Sequence, residues 1–223
     1  MNPDGSAVFG DDIAEFRIEK DYCDRMKCSP FPNFVEDFFD VRGLNKQIFI
    51  AFLASHNPKI NNPATIERLS KQSEMKGFQI PDILAHKPNR KEFYEIKPNS
   101  DASIPKGIRK LLNLGAFFGI EGLPYVPGTS YPGSLPREIE LTRFRPPPPF
   151  SKFEVLVLLK IQEHEDPDIP GLIIPGLIKY DLCLRSQLPV PVLVALAAFA
   201  ILFLTKGRGL KDLPKGLPET API

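Results

Sequence analysis

Cysteine is too scarce in this chain to organise it: Cys23, Cys28 and Cys183 are the only three in 223 residues. None forms a C-x-x-C pair, and Cys23 and Cys28 alone cannot build a zinc site. So few thiols point to a reducing compartment or incidental cysteines, not to a disulfide framework. Histidine is as sparse: His56, His86 and His164 are scattered, without the local signature of a cysteine–histidine hydrolase. No Walker-type loop and no G-x-G-x-x-G string is present, which removes the two common nucleotide-cradling motifs. Charge of one sign is also lacking. The 28 Lys and Arg against 27 Asp and Glu leave a net charge of +1, so no whole-molecule basic field draws in nucleic acid. The first thirty residues are acidic and polar and lack the apolar core of a signal peptide. That reading expects a cytoplasmic protein, or one delivered into a target cell by a signal-independent route.

What the chain does have is one dense motif. GFQIPDILAHKPNRKEFYEIKPNS reads as two strands joined by the turn-forming stretch Lys87-Pro88-Asn89-Arg90. Asp82 lies at the start of the first strand, and Glu95, Ile96 and Lys97 lie on the second. A hairpin of this kind brings two carboxylates and an amine to one spot. On a strand, Glu95 and Lys97 point to the same face. Carboxylate oxygens, with the Ile96 carbonyl as a third ligand, suit a hard divalent cation such as Mg²⁺, with Mn²⁺ as the alternative. Such an ion polarises a phosphodiester and activates water, and a lysine beside it can have its pKa lowered. The plainer reading makes Glu95 and Lys97 a solvated ion pair on an edge strand.

Pro81-Asp82 followed by Glu95-x-Lys97 resembles the PD-(D/E)XK nuclease superfamily, which has the restriction-endonuclease-like fold. The string from Tyr94 to Ser100, with a helix-like segment over 104–118 behind it, is further similar to nuclease domains of bacterial polymorphic toxins. The resemblance covers about residues 45–145. It implies an Mg²⁺-dependent nuclease cutting DNA, with RNA also open. Asp82 and Glu95 would then be metal ligands and catalytic residues. Lys97 would orient the attacking water and stabilise charge on the scissile phosphate. It also implies an inhibitory immunity protein as partner, and a further acidic residue from a preceding helix. Glu67, within the helix-compatible 64–72 stretch, is the first choice for that residue and Glu36 the second.

The 104–118 segment places Ile104, Ile108, Leu111, Leu112, Leu114 and Phe117 largely on one helical face. Ser103 or Asp101 could cap it, and Pro105 suits its first turn. Lys106, Arg109 and Lys110 fill much of the remainder. With Lys87, Arg90, Lys91 and Lys97 they form a local basic cluster able to contact phosphates, although any single lysine on a helix is ordinarily just a soluble face. His86 shares the parity of Asp82, so it either borders the site or ends the strand in solvent.

The fold class expected is α/β: a mixed central sheet flanked by helices over 46–56 and 104–118, with added C-terminal strands and an apolar C-terminal helix. Residues 1–44 read as an extended lead-in with at most a short helix, and 45–145 as the nuclease core. The proline run at 146–149 reads as a rigid spacer. Residues 150–185 form a β-rich region that either extends the nuclease sheet or stands apart as an accessory module touching DNA or a partner. The window 186–205 carries no charge but only approaches the ~20 apolar residues of a bilayer span. A buried helix, a membrane contact and an interaction tail all stay open for it, and 206–223 reads as a disordered tail. The second function class is therefore a membrane-associated interaction protein with an inactive nuclease-like core. Homodimerisation is open under either reading.

Overall fold

Four helices and seven strands follow one another along the described residues of the computed structural model, which are 9–27, 37–39, 46–133, 136–146, 148–165, 173–188 and 191–192. In chain order they are α1 (Phe9–Met26), β1 (Asp37–Phe39), α2 (Lys46–His56), α3 (Pro63–Glu74), β2 (Ile83–Lys87), β3 (Arg90–Pro98), α4 (Ile104–Ile120), β4 (Val126–Pro127), β5 (Arg137–Phe144), β6 (Val155–Glu165) and β7 (Ile173–Arg185). Helix α1 is the first departure from expectation. Eighteen residues of the lead-in are helical, because Ala14, Ile18 and Tyr22 recur at a spacing of four and bury one narrow stripe. The dense charge around that stripe hid it from the sequence reading. Cys23 within α1 is disulfide-bonded, which corrects the expectation of free thiols there; Cys183 is free.

Pro88-Asn89 closes a two-residue hairpin, with Lys87 opposite Arg90 and Ile83 opposite Tyr94. The strand order is β1-β2-β3-β7-β6-β5, with β4 also pairing β3. The sheet is mixed: β3 runs parallel to β4 and β7, and the other neighbours are antiparallel. The strands beyond the proline run therefore belong to the sheet that carries the motif. Glu95 lies opposite Leu177 and Lys97 opposite Lys179, which makes β3 a central strand. β4 pairs Glu92 and Phe93, and β7 takes over the same edge from Glu95 onward. The changeover depends on Gly176, at φ +81°, where a β-carbon would come within 3.0 Å of the Phe93 carbonyl oxygen; only glycine fits there.

Alternation along β2 and β3 gives the sheet two apolar faces. Leu84 and Phe93 join Phe49, Leu53, Leu69, Leu111, Leu114 and Phe118 under α2, α3 and α4. Ile83, Ala85, Tyr94 and Ile96 join Ile161, Ile178 and Tyr180 under α1. Helix α1 is fastened there by polar contacts from its middle to its C-terminal end. Asp21 pairs with Arg137 at 2.6 Å and accepts the Tyr131 hydroxyl at 3.0 Å. Arg17 donates to the Leu141 carbonyl at 3.1 Å, and Lys87 to the Met26 carbonyl at 2.7 Å.

Helix α4 also departs from expectation in one residue. Leu112, placed on the apolar face by the sequence, is 69% exposed, while Gly107, Leu111, Leu114 and Phe118 are buried. Pro105 occupies the first turn as expected, and Ser103 takes the N-cap position but makes no side-chain capping hydrogen bond. Among the described residues no helix is long and apolar enough to cross a membrane. The apolar run 190–204 (apart from 191–192), the tail 206–223 and Glu36 lie outside the described residues.

Candidate active site

Asp82 sits one residue before β2, where its main-chain N–H still donates to the Tyr94 carbonyl at 3.0 Å. Its side chain then takes over as acceptor: the Ile96 N–H donates to Asp82 Oδ2 at 2.6 Å. The carboxylate is thus fixed by the ladder itself. Glu95 faces it from β3 and is fully buried, with 0% exposure. That burial on a central strand rules out the plain reading of a solvated edge-strand pair.

Two ammonium groups hold these carboxylates. Lys97 Nζ pairs with Glu95 Oε1, lies 3.8 Å from Asp82 Oδ2 and donates to the Ile96 carbonyl at 2.9 Å. Lys110, arriving from α4, pairs with Asp82 Oδ1 at 2.8 Å and with Glu95 Oε2 at 2.5 Å. Both carboxylates are therefore ion-paired to the same two cations, while the two buried Glu95 oxygens lack hydrogen bonds of good geometry. Helix α4 can approach this closely because residue 107 is glycine. A β-carbon there would come within 2.8 Å of Leu177 Cδ1 and 2.9 Å of Lys97 Cγ.

A third carboxylate, Glu15 of α1, is close enough to feel all four groups. Burial above all, then the charges of Asp82 and Glu95, push its pKa up to about 8, against the lowering pull of Lys97 and Lys110. Burial and the Asp82 charge likewise push Glu95 up to about 7. Burial alone would raise Asp82 too. There, however, Lys110, Lys97 and the Ile96 N–H win, and the carboxyl is held below its usual range. Burial works to lower both lysines, but the two carboxylates outweigh it and raise them. Lys97 in this state is a firm cation, opposite to the lowered pKa that a lysine beside a metal can have.

Carboxylate and carbonyl oxygens are the kinds of donor that hard cations take. Two carboxylates and a main-chain carbonyl converge on the Lys97 ammonium, and these are the three oxygen sources expected from the sequence to bind Mg²⁺. Among the described residues, no group of three or more His, Cys, Asp or Glu side chains is arranged to hold a metal ion. The carbonyl and the ammonium contacts, not a cage of side chains, define the spot.

The other expected residues are spread more widely. Glu67 is on the exposed surface of α3, paired with Lys71 at 2.7 Å, whereas Glu15 of α1 is a helix-borne carboxylate within electrostatic reach of Asp82 and Glu95. The signal for Glu15 was weak: it adjoins Ala14 in the Ala14–Ile18–Tyr22 spacing of an otherwise charged segment. Lys110 is buried in the site itself, while Lys106 and Arg109 are exposed on the neighbouring turns of α4. Its signal was available, since it falls three residues after Gly107 and four before Leu114, within the buried stripe. Arg90 and Lys91 lie at the far end of the hairpin, about 13–17 Å along β3 from Glu95 at ~3.3 Å per residue. Arg90 is turned inward, its guanidinium 5.7 Å from the Tyr22 ring centre. His86 is neither at the site nor in solvent. It is half-buried against Tyr125, whose hydroxyl is 2.7 Å from Nδ1, and burial, then Lys91 and His56, lower its pKa to about 4. Comparison with protein-family models, with curated proteins and with solved structures gives no match for this chain.

Proposed function

We propose that this chain is a metal-dependent nuclease that hydrolyses the phosphodiester bonds of DNA. The observation that carries the reading is the convergence of Asp82, Glu95 and Lys97, from two hairpin strands, on one buried cationic point. The PD-(D/E)XK resemblance drawn from the same residues supports it, as does the added carboxylate of Glu15 from a helix before the motif.

In this reading Asp82, Glu95 and the Ile96 carbonyl hold Mg²⁺, which supplies Lewis acidity toward the phosphate and a more acidic bound water. Asp82 contributes a carboxylate that stays ionised. Its depressed pKa and its bond to the Ile96 N–H fix its charge and its direction. Lys97 orients the attacking water and offsets the charge that develops on the phosphate oxygens. Glu15 sits at the edge of the cluster with a pKa about 8, in the range suited to taking or giving a proton near neutral pH. Lys106 and Arg109, exposed on α4 beside Lys110, are the nearest phosphate-contacting side chains. A role as a bacterial toxin domain with an inhibitory protein partner rests on the resemblance to polymorphic-toxin nucleases.

The test is plasmid cleavage by purified chain in Mg²⁺ and in EDTA, with Asp82→Ala and Lys97→Ala alongside. Cleavage that needs Mg²⁺ and is lost in both variants supports the reading. Cleavage that survives both changes removes the proposed site, and no cleavage of DNA or RNA in Mg²⁺ or Mn²⁺ removes the activity.

A further inference from the structure

All four oxygens of Asp82 and Glu95 lie within ion-pair distance of an ammonium group, two of Lys97 and two of Lys110, and the two buried Glu95 oxygens have no hydrogen-bond partner beyond those charges. A dication that uses these carboxylates has to displace at least one of them. The two lysines are not equivalent. Lys97 lies on the same strand as Glu95 and has its stem packed beneath Gly107, and the Ile96 carbonyl to which it donates at 2.9 Å keeps a second lone pair for a cation. Lys110 comes from a different element and, among the described residues, pairs with the two carboxylates alone. Its flexible four-carbon stem lets the ammonium withdraw while α4 stays in place. Loss of one like charge so close to both ligands also strengthens the pull of the site on a dication.

We infer that Lys110 is a built-in competitor for the metal: it holds the two carboxylates together in the metal-free protein and leaves them when a divalent cation enters. This rests on the proposed metal site and adds a regulator to it. A resident ammonium keeps a buried pair of carboxylates from standing uncompensated before metal arrives. It also sets the metal concentration at which the site loads.

Two measurements test the inference on the full chain. Mn²⁺ binding by calorimetry compares the unaltered protein with Lys110→Gln, which keeps a hydrogen-bond donor, and Lys110→Arg, which keeps the charge. Lys110→Gln is expected to bind Mn²⁺ about ten-fold more tightly or better, and Lys110→Arg no more tightly than the unaltered chain. Should Lys110→Gln not fold, the unaltered protein still gives an answer through amine acylation followed by mass spectrometry. Saturating Mn²⁺ should speed modification of Lys110 about five-fold or more, because an ion-paired buried ammonium reacts poorly, while exposed Lys20 and Lys71 are unchanged. If the unaltered chain binds Mn²⁺ but neither the affinity nor the labelling changes, the competitor role falls and the metal site stands. Mn²⁺ binding by Lys110→Gln alone supports the inference. If no form binds Mn²⁺, the inference and the metal-dependent function fall together.

Discussion

The Asp82 carboxylate accepts the Ile96 main-chain N–H at 2.6 Å, so one side chain completes a strand ladder and anchors a charged site at once. Asp82→Ala removes the acceptor and leaves Lys110 with one of its two partners and Lys97 with two of its three. Loss of one member of a buried ion cluster costs about 3–5 kcal/mol. Asp82→Asn keeps an acceptor for Ile96 and is expected to unfold at higher denaturant than Asp82→Ala. Both are expected to lose DNA cleavage by about 100-fold or more. Urea melts beside a plasmid assay check the pair, and an Asp82→Asn variant with full activity would show that the charge is dispensable.

Gly107 is expected to tolerate no side chain. In Gly107→Ala the new methyl meets Leu177 Cδ1 at 2.8 Å and Lys97 Cγ at 2.9 Å, so α4 or Lys97 must shift. Overpacking of this kind costs about 1–3 kcal/mol, and the displaced lysine should lower cleavage well beyond the loss of folded protein. Gly115 on the same helix has nothing within 4 Å of its would-be β-carbon. Gly115→Ala should therefore stabilise by about 0.5–1 kcal/mol, through helix propensity alone. Thermal melts of the two variants, opposite in sign, settle whether α4 is pinned at the site.

Stability in EDTA should fall as pH rises from about 5 to about 8 and level off above that. Glu15 and Glu95 have folded-state pKa values about 8 and about 7, raised from 4.5. Between the ordinary and the raised values the folded chain binds more protons than the unfolded one. The slope of stability against pH is then negative, and the penalty is complete once pH exceeds the raised pKa. Glu15→Gln removes one of the two penalties, and should stabilise the protein at pH 9 by on the order of 1–3 kcal/mol. Added Mg²⁺ should flatten the slope in the unaltered chain. Urea melts at pH 6, 7.5 and 9 would expose a flat or rising profile in EDTA, which contradicts the shared burial of the two carboxyls.

Glu67→Ala should leave cleavage unchanged and shift stability by no more than about 0.5 kcal/mol, because its partner Lys71 is an exposed neighbour one turn away. Glu15→Ala should reduce cleavage at least ten-fold at saturating substrate. Comparing kcat for the two variants identifies which helix serves the site. An active Glu15→Ala and an inactive Glu67→Ala would reverse the assignment.

The sequence by itself determined what is local. Two strand-like segments on either side of Pro88-Asn89 wrote the hairpin, and with it the meeting of Asp82, Glu95 and Lys97, since a two-residue turn leaves one register. The apolar stripe of α4 and the buried α2 were legible from hydrophobic period and from the prolines at Pro105 and Pro58. Only the tertiary structure decided the partners that come from far along the chain. Glu15 stands at the site because α1 docks on the sheet through Asp21, Arg17 and Tyr22, none of which marks Glu15 in the sequence. Lys110 turns inward because Gly107 lets α4 close on β3. β7 lies beside β3 because Gly176 lets it follow β4 along the same edge. Residue spacing constrains neighbours within a turn or a hairpin; long-range contacts are selected by packing of whole faces, which no single segment encodes.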